Sequence, residues 1–334
     1  GAVPGPACYG QGGEEATNTD SQIVLGRIDP EYFLGGEMKV DGDLSFQAVQ
    51  KKVGDHYGWD VKEAAANTYM VALSALMMAM RIQTVSRGWD PREFAIVPYG
   101  GGGALYACDL AREIGSPTVV VPPLPGYASA FGAIRVDVKH EFTTPIHKTE
   151  EELDFDELNQ EVGNLVEKSH RILAKEGIEK DMVSVERYVD VKYFSQSRFF
   201  TVDLPDGELK DLEGITRNFM DDMQAEYGYN LPPGYAPVEV VNLRVVAKGE
   251  IIKPNLPEIE EAGSLEDARK PNRQVWFKGH DFLEADIYER GKLPPGAEFD
   301  GPAVIEQPDT TTVMPPGTHC SVDKYGNLVI NVDQ

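Results

Sequence analysis

The chain has 334 residues and a formal net charge of -24, with 41% apolar and 26% charged residues. That length points to two or three domains, and the composition is that of a globular protein, not a disordered one. The negative field repels nucleic-acid phosphates and anionic lipid, so neither is an expected partner.

The chain opens Gly1-Ala2-Val3-Pro4-Gly5-Pro6. This reads as an interior loop, so a processed fragment or a trimmed leader is expected. The first forty residues are loop-like. A long Ala-, Leu- and Met-rich helix follows over Val61 to Ser86, stopped at Gly88. It is apolar nearly all round (Met70, Leu73, Leu76, Met77, Met80), which predicts burial on most faces, with its Met stripe in the core. Its longest apolar stretch, Tyr69 to Met80, is too short to span a bilayer. No signal peptide is visible.

Phe94 to Val97 reads as a buried strand. Gly100 to Gly103, a helix over Ala104 to Ile114, and a second buried strand over Thr118 to Val121 follow it. Strand, glycine turn, helix and strand make a βαβ unit with parallel strands. Asp154 and Glu157 resemble a capping box opening an amphipathic helix that ends at Gly177 and bridges two domains. Val185 to Tyr193 and Arg198 to Leu204 read as a hairpin around Ser195-Gln196-Ser197. A helix ending at Gly228 and a strand over Val238 to Ala247 follow. The acidic stretch from Pro254 to Pro271 reads as a linker. Gln274 to Val332 reads as short strands separated by Pro- and Gly-rich turns, a small all-β module. The expected divisions are 1–141, 142–252, a linker at 253–273, and 274–334.

Three cysteines, Cys8, Cys108 and Cys320, give no disulfide framework and no zinc pattern, and a reducing cytoplasm is the simplest setting. Cys8, Asp20 and Cys108 can be read as metal ligands or as buried structural residues, and the latter is the expectation. Asp20 can also serve as a turn or helix cap. The six histidines form no legible Ser-His-Asp or Cys-His arrangement and read as exposed or structural.

The strongest chemical signal is Val97-Pro98-Tyr99-Gly100-Gly101-Gly102-Gly103-Ala104-Leu105. Glycines between a strand and a helix let the backbone approach a ligand, and the helix amino terminus adds unpaired N–H groups. A tight packing turn with no ligand is the alternative. No Lys-Ser/Thr pair follows, so this is not a Walker A loop, and it is not the usual GxGxxG fingerprint.

This stretch resembles the adenosine loop of the actin, sugar-kinase and heat-shock ATPase superfamily. More narrowly, it resembles the hydantoinase A family motif Gly-Gly-Ala-Gly-Pro-Leu-His-Ala. Gly5 to Gly10, Thr19-Asp20, Val24 to Arg27 and Phe33 to Gly36 resemble the family's central segment. Val238 to Arg244 resembles a later strand, and Gly301 to Glu306 the terminal module. Gln196-Ser197 resembles the family's Arg-Gly-Gln-Ser turn, a candidate for a subunit contact or substrate channel beside plain hairpin geometry. Where the family has Pro and His, this chain has Ala104 and Tyr106.

The resemblance implies an α/β fold: an actin/sugar-kinase-like ATPase lobe with a parallel-containing sheet, then an α+β region and a small C-terminal β module. It implies ATP and Mg2+ as cofactors, with the nucleotide against Tyr99, Gly100, Gly101, Gly102, Gly103 and Ala104. The family's amino-terminal phosphate loops are not in this sequence. An amino-terminal lobe or subunit carrying them, a hydantoinase B-type subunit and a small carbonyl substrate are therefore the implied partners. The implied chemistry is phosphorylation of a carbonyl or enol oxygen, for ketone carboxylation or ring-amide hydrolysis. A structural or regulatory subunit with a degenerate cleft is the reading of another class.

Overall fold

A computed structural model describes residues 3–205, 207–232, 235–259 and 263–333. Residues 1–2 of the opening turn and 260–262 of the acidic stretch lie outside them. The chain forms two compact units, Gly1–Ala133 with Asn255–Gln334, and Ile134–Pro254. The cuts differ from the expected 141/142 and 252/253, and the expected independent terminal module has joined the first unit.

The first unit begins with α1 (Asn18–Val24), α2 (Gly42–Val49), a single turn α3 (Asp55–Tyr57) and α4 (Val61–Gln83). Asp60 caps α4 by accepting from the backbone N–H groups of Lys62 and Glu63. α4 ends at Gln83, and Gly88, at φ +82°, caps the 3-10 turn Val85–Arg87 that follows it. β1 (Ala95–Ile96) leads through the glycines to α5 (Ala107–Ile114) and β2 (Thr118–Val121), and α6 (Ala128–Ala133) closes this part. β1 and β2 pair in parallel, with Ala95 opposite Thr118 and Ile96 opposite Val119, as the βαβ pattern predicts.

The second unit holds β3 (Val138–Thr149), α7 (Phe155–Lys175), β4 (Val183–Tyr193), β5 (Phe200–Asp203), α8 (Glu213–Tyr227) and β6 (Val238–Gly249). Its sheet runs β3-β6-β4-β5 and every pairing is antiparallel. The expected hairpin is β4–β5. The expected bridging helix is α7, whose residues all belong to this unit: Leu158 and Leu165 bury themselves in its core with Val189, Leu243 and Phe219. Asp154 caps it through the N–H groups of Asp156 and Glu157.

The chain then returns to the first unit with β7 (Arg269–Phe277), β8 (Asp281–Glu289), β9 (Glu298–Asp300), β10 (Ala303–Gln307), β11 (Thr310–Met314), β12 (Thr318–Val322) and β13 (Leu328–Val332). β7 starts inside the expected linker. The terminal strands are present but do not stand apart. The sheet order β1-β2-β13-β12-β9 shows why: β13 pairs antiparallel with β2, Leu328 opposite Val121, and closes an edge that β2 would otherwise leave open. One core accordingly mixes Ala107, Val119 and Val121 with Phe299, Cys320 and Ile330.

Two burial expectations fail, for one physical reason. Ala64, Ala65, Tyr69 and Leu73 of α4 are buried, but Val71 is 72% exposed, Met78 63% and Ile82 58%. Met70, Met77 and Met80 are only partly covered. β1 is an edge strand with Ala95 exposed and Val97 56% exposed. Apolar patterning records that a face is to be covered, not by what. By length and composition, Val61–Arg87 also suffices to cross a membrane, contrary to the sequence reading. Its first half packs in the core of the unit, so it is read here as a packing helix.

A buried polar centre ties these elements together. Arg27, fully buried, donates through Nε to the Trp276 carbonyl (3.1 Å) and through Nη1 to the Leu105 carbonyl (3.2 Å). Its Nη2 lies 3.3 Å from Asp109 Oδ2. The Tyr69 hydroxyl donates to the same Asp109 oxygen. The guanidinium sits 4.1 Å from the Tyr69 ring centroid, and Tyr69 stacks on Tyr106 at 4.9 Å and 4°. α1's exit, α4, α5, β7 and the turn before α5 thus meet at one charge pair.

A second buried carboxylate fixes the start of the unit. Asp20 accepts from Ala7 N (3.2 Å), Cys8 N (3.0 Å), Thr17 N (3.0 Å), Thr17 Oγ1 (2.7 Å) and Ser45 Oγ (2.8 Å). Thr17 and Asp20 form the capping box of α1, which meets the cap expectation for Asp20. Burial alone would raise the Asp20 pKa, but the hydrogen bonds outweigh it and hold the carboxyl below its ordinary value of 3.8.

Removing one partner of the buried pair strands the other. Asp109→Ala should therefore cost about 3–5 kcal/mol in urea denaturation, and the paired Arg27→Met, Asp109→Leu change clearly less. A single variant within about 0.5 kcal/mol of wild type would refute the assignment. For Asp20 the folded pKa is depressed. Its stabilisation is present above the unfolded value, about 3.9, and is lost as pH falls through the folded one. The stability gap between wild type and Asp20→Asn should be widest near neutral pH and shrink below about pH 4. A gap constant from pH 7 to pH 3 would sink this account.

Candidate functional site

The glycine loop leaves β1 at Val97-Pro98 and enters a short 3-10 turn, Gly103–Leu105, before α5. Gly100 takes φ +77°, a left-handed conformation that favours glycine, and its N–H donates to the Pro125 carbonyl at 2.8 Å. It is the one position of the four with positive φ. Gly103 N–H donates back to the Gly100 carbonyl (3.4 Å), and a Cβ there would lie 3.3 Å from Pro98 Cβ. A Cβ at Gly101 would lie 3.4 Å from the Asp309 carbonyl oxygen, whereas one at Gly102 would meet nothing within 4 Å. Gly102, at φ -105° and ψ -9°, has a backbone any residue can adopt. Among the described residues, the Gly101 and Gly102 N–H groups donate to no protein acceptor.

Two cavities flank this loop. The smaller, about 280 Å³, is bordered by Tyr9, Phe33, Gly101, Gly102, Asp309 and Thr310. The larger, about 790 Å³ and open, is bordered by Ala72, Leu76, Met80, Tyr99, Gly102 and Tyr106. Gly102 borders both. Beside the smaller one, Glu306 is buried between Lys270 and Arg273, and Arg273 also reaches Asp29 at 3.4 Å. The cations there are already committed to carboxylates. The place suits an uncharged, hydrogen-bonding part of a ligand better than a triphosphate.

Of the expected contact residues, Tyr99 is 67% exposed and Gly101 and Gly102 are exposed, all bordering a cavity. Gly103 borders the larger cavity and, with Gly100, shapes the turn. Ala104 differs: it is fully buried in the core and borders neither cavity, so it is a packing residue. Tyr106, in the place of the family's His, stacks on Tyr69, and its buried hydroxyl finds no well-formed hydrogen bond. The sequence reading missed Arg27 and Asp109 beneath the loop, and Asp309 and Thr310 beside it.

Cys8, Asp20 and Cys108 do not make a metal centre. Cys8 and Cys108 lie in different cores, and Asp20 is filled by its hydrogen bonds. Burial first, then the Asp20 charge, pushes the Cys8 thiol up to about 12, and burial raises Cys108 as well. Among the described residues, no group of three His, Cys, Asp or Glu side chains could hold a metal. His140 meets Glu176 (2.9 Å), His147 meets Glu239 (3.3 Å) and His319 meets Asp300 (2.8 Å), each a carboxylate pair without a nucleophile. Gln196-Ser197 lie in the β4–β5 turn, where Gln196 N–H donates to Tyr193 O at 3.0 Å.

The chain matches the hydantoinase/oxoprolinase model over residues 1–142 and the hydantoinase/oxoprolinase C-terminal domain model over residues 146–330. An uncharacterized protein of Methanocaldococcus jannaschii is 35% identical over 330 residues, 99% of this chain and 46% of that protein. The crystal structure of the ATP-dependent caprolactamase from Pseudomonas jessenii superposes with a TM-score of 0.78 at 27% identity, covering 100% of this chain and 49% of that one. Nucleotide-free acetone carboxylase superposes at 0.82 and 24% identity, over 97% of this chain and 48% of that one, a likeness of fold. The chain spans about half the length of the curated relatives it matches. The fold is α/β, with mixed parallel and antiparallel sheets of the actin/sugar-kinase-like ATPase-lobe type and a C-terminal β portion. With two family models covering nearly its whole length, the chain belongs to the hydantoinase/oxoprolinase family, whose ATP-binding subunits it resembles throughout.

Proposed function

We propose that this chain forms one wall of an ATP cleft in a multisubunit enzyme that activates a carbonyl or enol oxygen by phosphorylation. The observation that carries the reading is Gly102: an exposed residue whose peptide N–H has no protein partner among the described residues, no side chain, and cavities on both flanks. A nucleoside can approach such a backbone closely and accept from it. Tyr99 and Gly101 flank it. The committed cations leave the phosphates to other residues, so an amino-terminal lobe bearing phosphate loops should hold them with magnesium.

Transfer of the γ-phosphoryl group turns a poor leaving oxygen into a good one. In that scheme this chain binds and orients the nucleoside, and a hydantoinase B-type subunit completes the reaction on a small carbonyl substrate. Ring-amide hydrolysis is supported by the likeness to an ATP-dependent caprolactamase, and ketone carboxylation by the match to an acetophenone carboxylase gamma subunit from Aromatoleum aromaticum. Lactam-dependent ATP turnover without bicarbonate would select the first. Turnover requiring both ketone and bicarbonate would select the second. A cytoplasmic setting fits three buried, unpaired thiols among the described residues.

The exposed face supports an amino-terminal lobe as partner. Val71, Met78 and Ile82 of α4, Trp89, and Val97 beside the open edge of β1 are all more than half exposed. A lobe continuing the sheet from β1 would cover them. The isolated chain should therefore self-associate in sedimentation and become soluble as a defined complex when the lobe is supplied. A well-behaved monomer with no affinity for that lobe would contradict the assignment.

The nucleotide itself is tested at Gly102. Gly102→Val adds bulk only toward open space, so the fold should be unaffected, whereas Gly101→Val presses on Asp309. In the assembled enzyme Gly102→Val should weaken ATP binding by about thirtyfold, the equivalent of roughly 2 kcal/mol, in calorimetric titration. Lys210→Ala should leave it unchanged. Unaltered ATP affinity in a folded Gly102→Val protein would return the loop to a packing turn and favour a degenerate, non-catalytic subunit.

A further inference from the structure

We infer that Thr310, at the tip of the β10–β11 hairpin, is a positioning residue for nucleotide binding: it aims the Gly102 N–H. The inference rests on the reading that a nucleoside lies on the glycine loop. The Thr310 hydroxyl donates to the Gly101 carbonyl at 2.9 Å. That carbonyl and the Gly102 N–H belong to one planar, trans peptide, so they point in opposite directions. Holding the carbonyl toward the hairpin therefore turns the N–H away from it, where no protein acceptor waits among the described residues.

The hairpin tip is itself fixed. Gln307 and Thr310 pair across a two-residue turn, Pro308-Asp309. Asp309 Oδ2 accepts from Gly126 N–H at 2.7 Å, and Oδ1 accepts from Gln307 Nε2 at 2.6 Å. Gln307 Nε2 also donates to the Pro123 carbonyl at 3.1 Å. Both donors need an acceptor, so Asp309 must present two, which an asparagine cannot do. A Cβ at Gly126 would lie 2.7 Å from Asp309, so the two segments meet without slack. The neighbouring Pro125 carbonyl in turn receives the Gly100 N–H. The glycine loop is thus gripped at Gly100 through residues 123–126 and at Gly101 through Thr310, both referred to one hairpin tip.

Thr310→Val keeps the shape and removes the donor. Thr310→Ser restores it. In the assembled enzyme, the Val variant should raise KM for ATP about tenfold with kcat within about twofold, as expected when ground and transition states lose the same contact. The Ser variant should return KM to within about twofold of wild type. Melting temperature is followed in parallel. If Thr310→Val does not fold, Asp309→Asn carries the same expectation for KM, since it loosens the tip. An unchanged KM in folded Thr310→Val, with ATP lost in Gly102→Val, would overturn the aiming role and leave the nucleotide reading intact. ATP binding unchanged in both variants would overturn both. A Ser variant as impaired as Val would also overturn it, because the effect would then follow bulk and not the hydroxyl.

Discussion

The Arg27–Asp109 pair is the constraint on which the first unit depends. A guanidinium fully out of water is tolerable only when its charge and its donors are answered. Asp109 answers the charge, and the Leu105 and Trp276 carbonyls answer two of the donors. Each partner comes from a different element, so satisfying Arg27 sets the distances among α1, α5 and β7 together. The Leu105 carbonyl belongs to the turn that ends the glycine loop. The loop's floor is therefore set by electrostatics beneath it, while its exposed Gly101–Gly102 peptide is held from the side by Thr310.

Much of the local structure was legible. The caps and alternations that announce α4, α7, the β4–β5 hairpin and β6 act over a few residues, and a sequence displays them directly. Family order of the motifs gave the fold class. The misreadings have physical causes. α4 and β1 carry apolar side chains on faces that the described residues leave exposed, so composition overstated their burial. α7 carries one apolar stripe, and a stripe does not say whether it meets a neighbouring unit or its own sheet. Ala104 sits inside the glycine motif, yet the 3-10 turn rotates it into the core. Arg27 and Asp109, and likewise Gly101 and Thr310, are brought together by tertiary folding alone, and no spacing rule connects them.

The site is correspondingly composite. Its glycines come from a strand-to-helix connection, its aromatic border from the segment near Tyr9 and Phe33, and its fixed points from a hairpin near the end of the chain. The terminal strands that looked like an appended module are structural neighbours of the loop. The stretch Gly301 to Glu306 then has a physical sense: it holds all of β10 but its last residue, and β10 is the strand that carries the hairpin to Asp309 and Thr310.

The pairing of β13 with β2 has a consequence for synthesis. β2 ends at Val121 and its partner begins at Leu328, with the whole second unit in between. A ribosome adding about 5–20 residues per second would leave that edge of β2 without its partner for roughly 10–40 seconds. During that interval Val119 and Val121 lack the strand that later buries them, while the second unit, contiguous in sequence, can fold as soon as it emerges. Early folding of the inserted unit would bring the two crossing points at 133/134 and 254/255 under control before the last strands arrive, shortening the loop that the final pairing has to close.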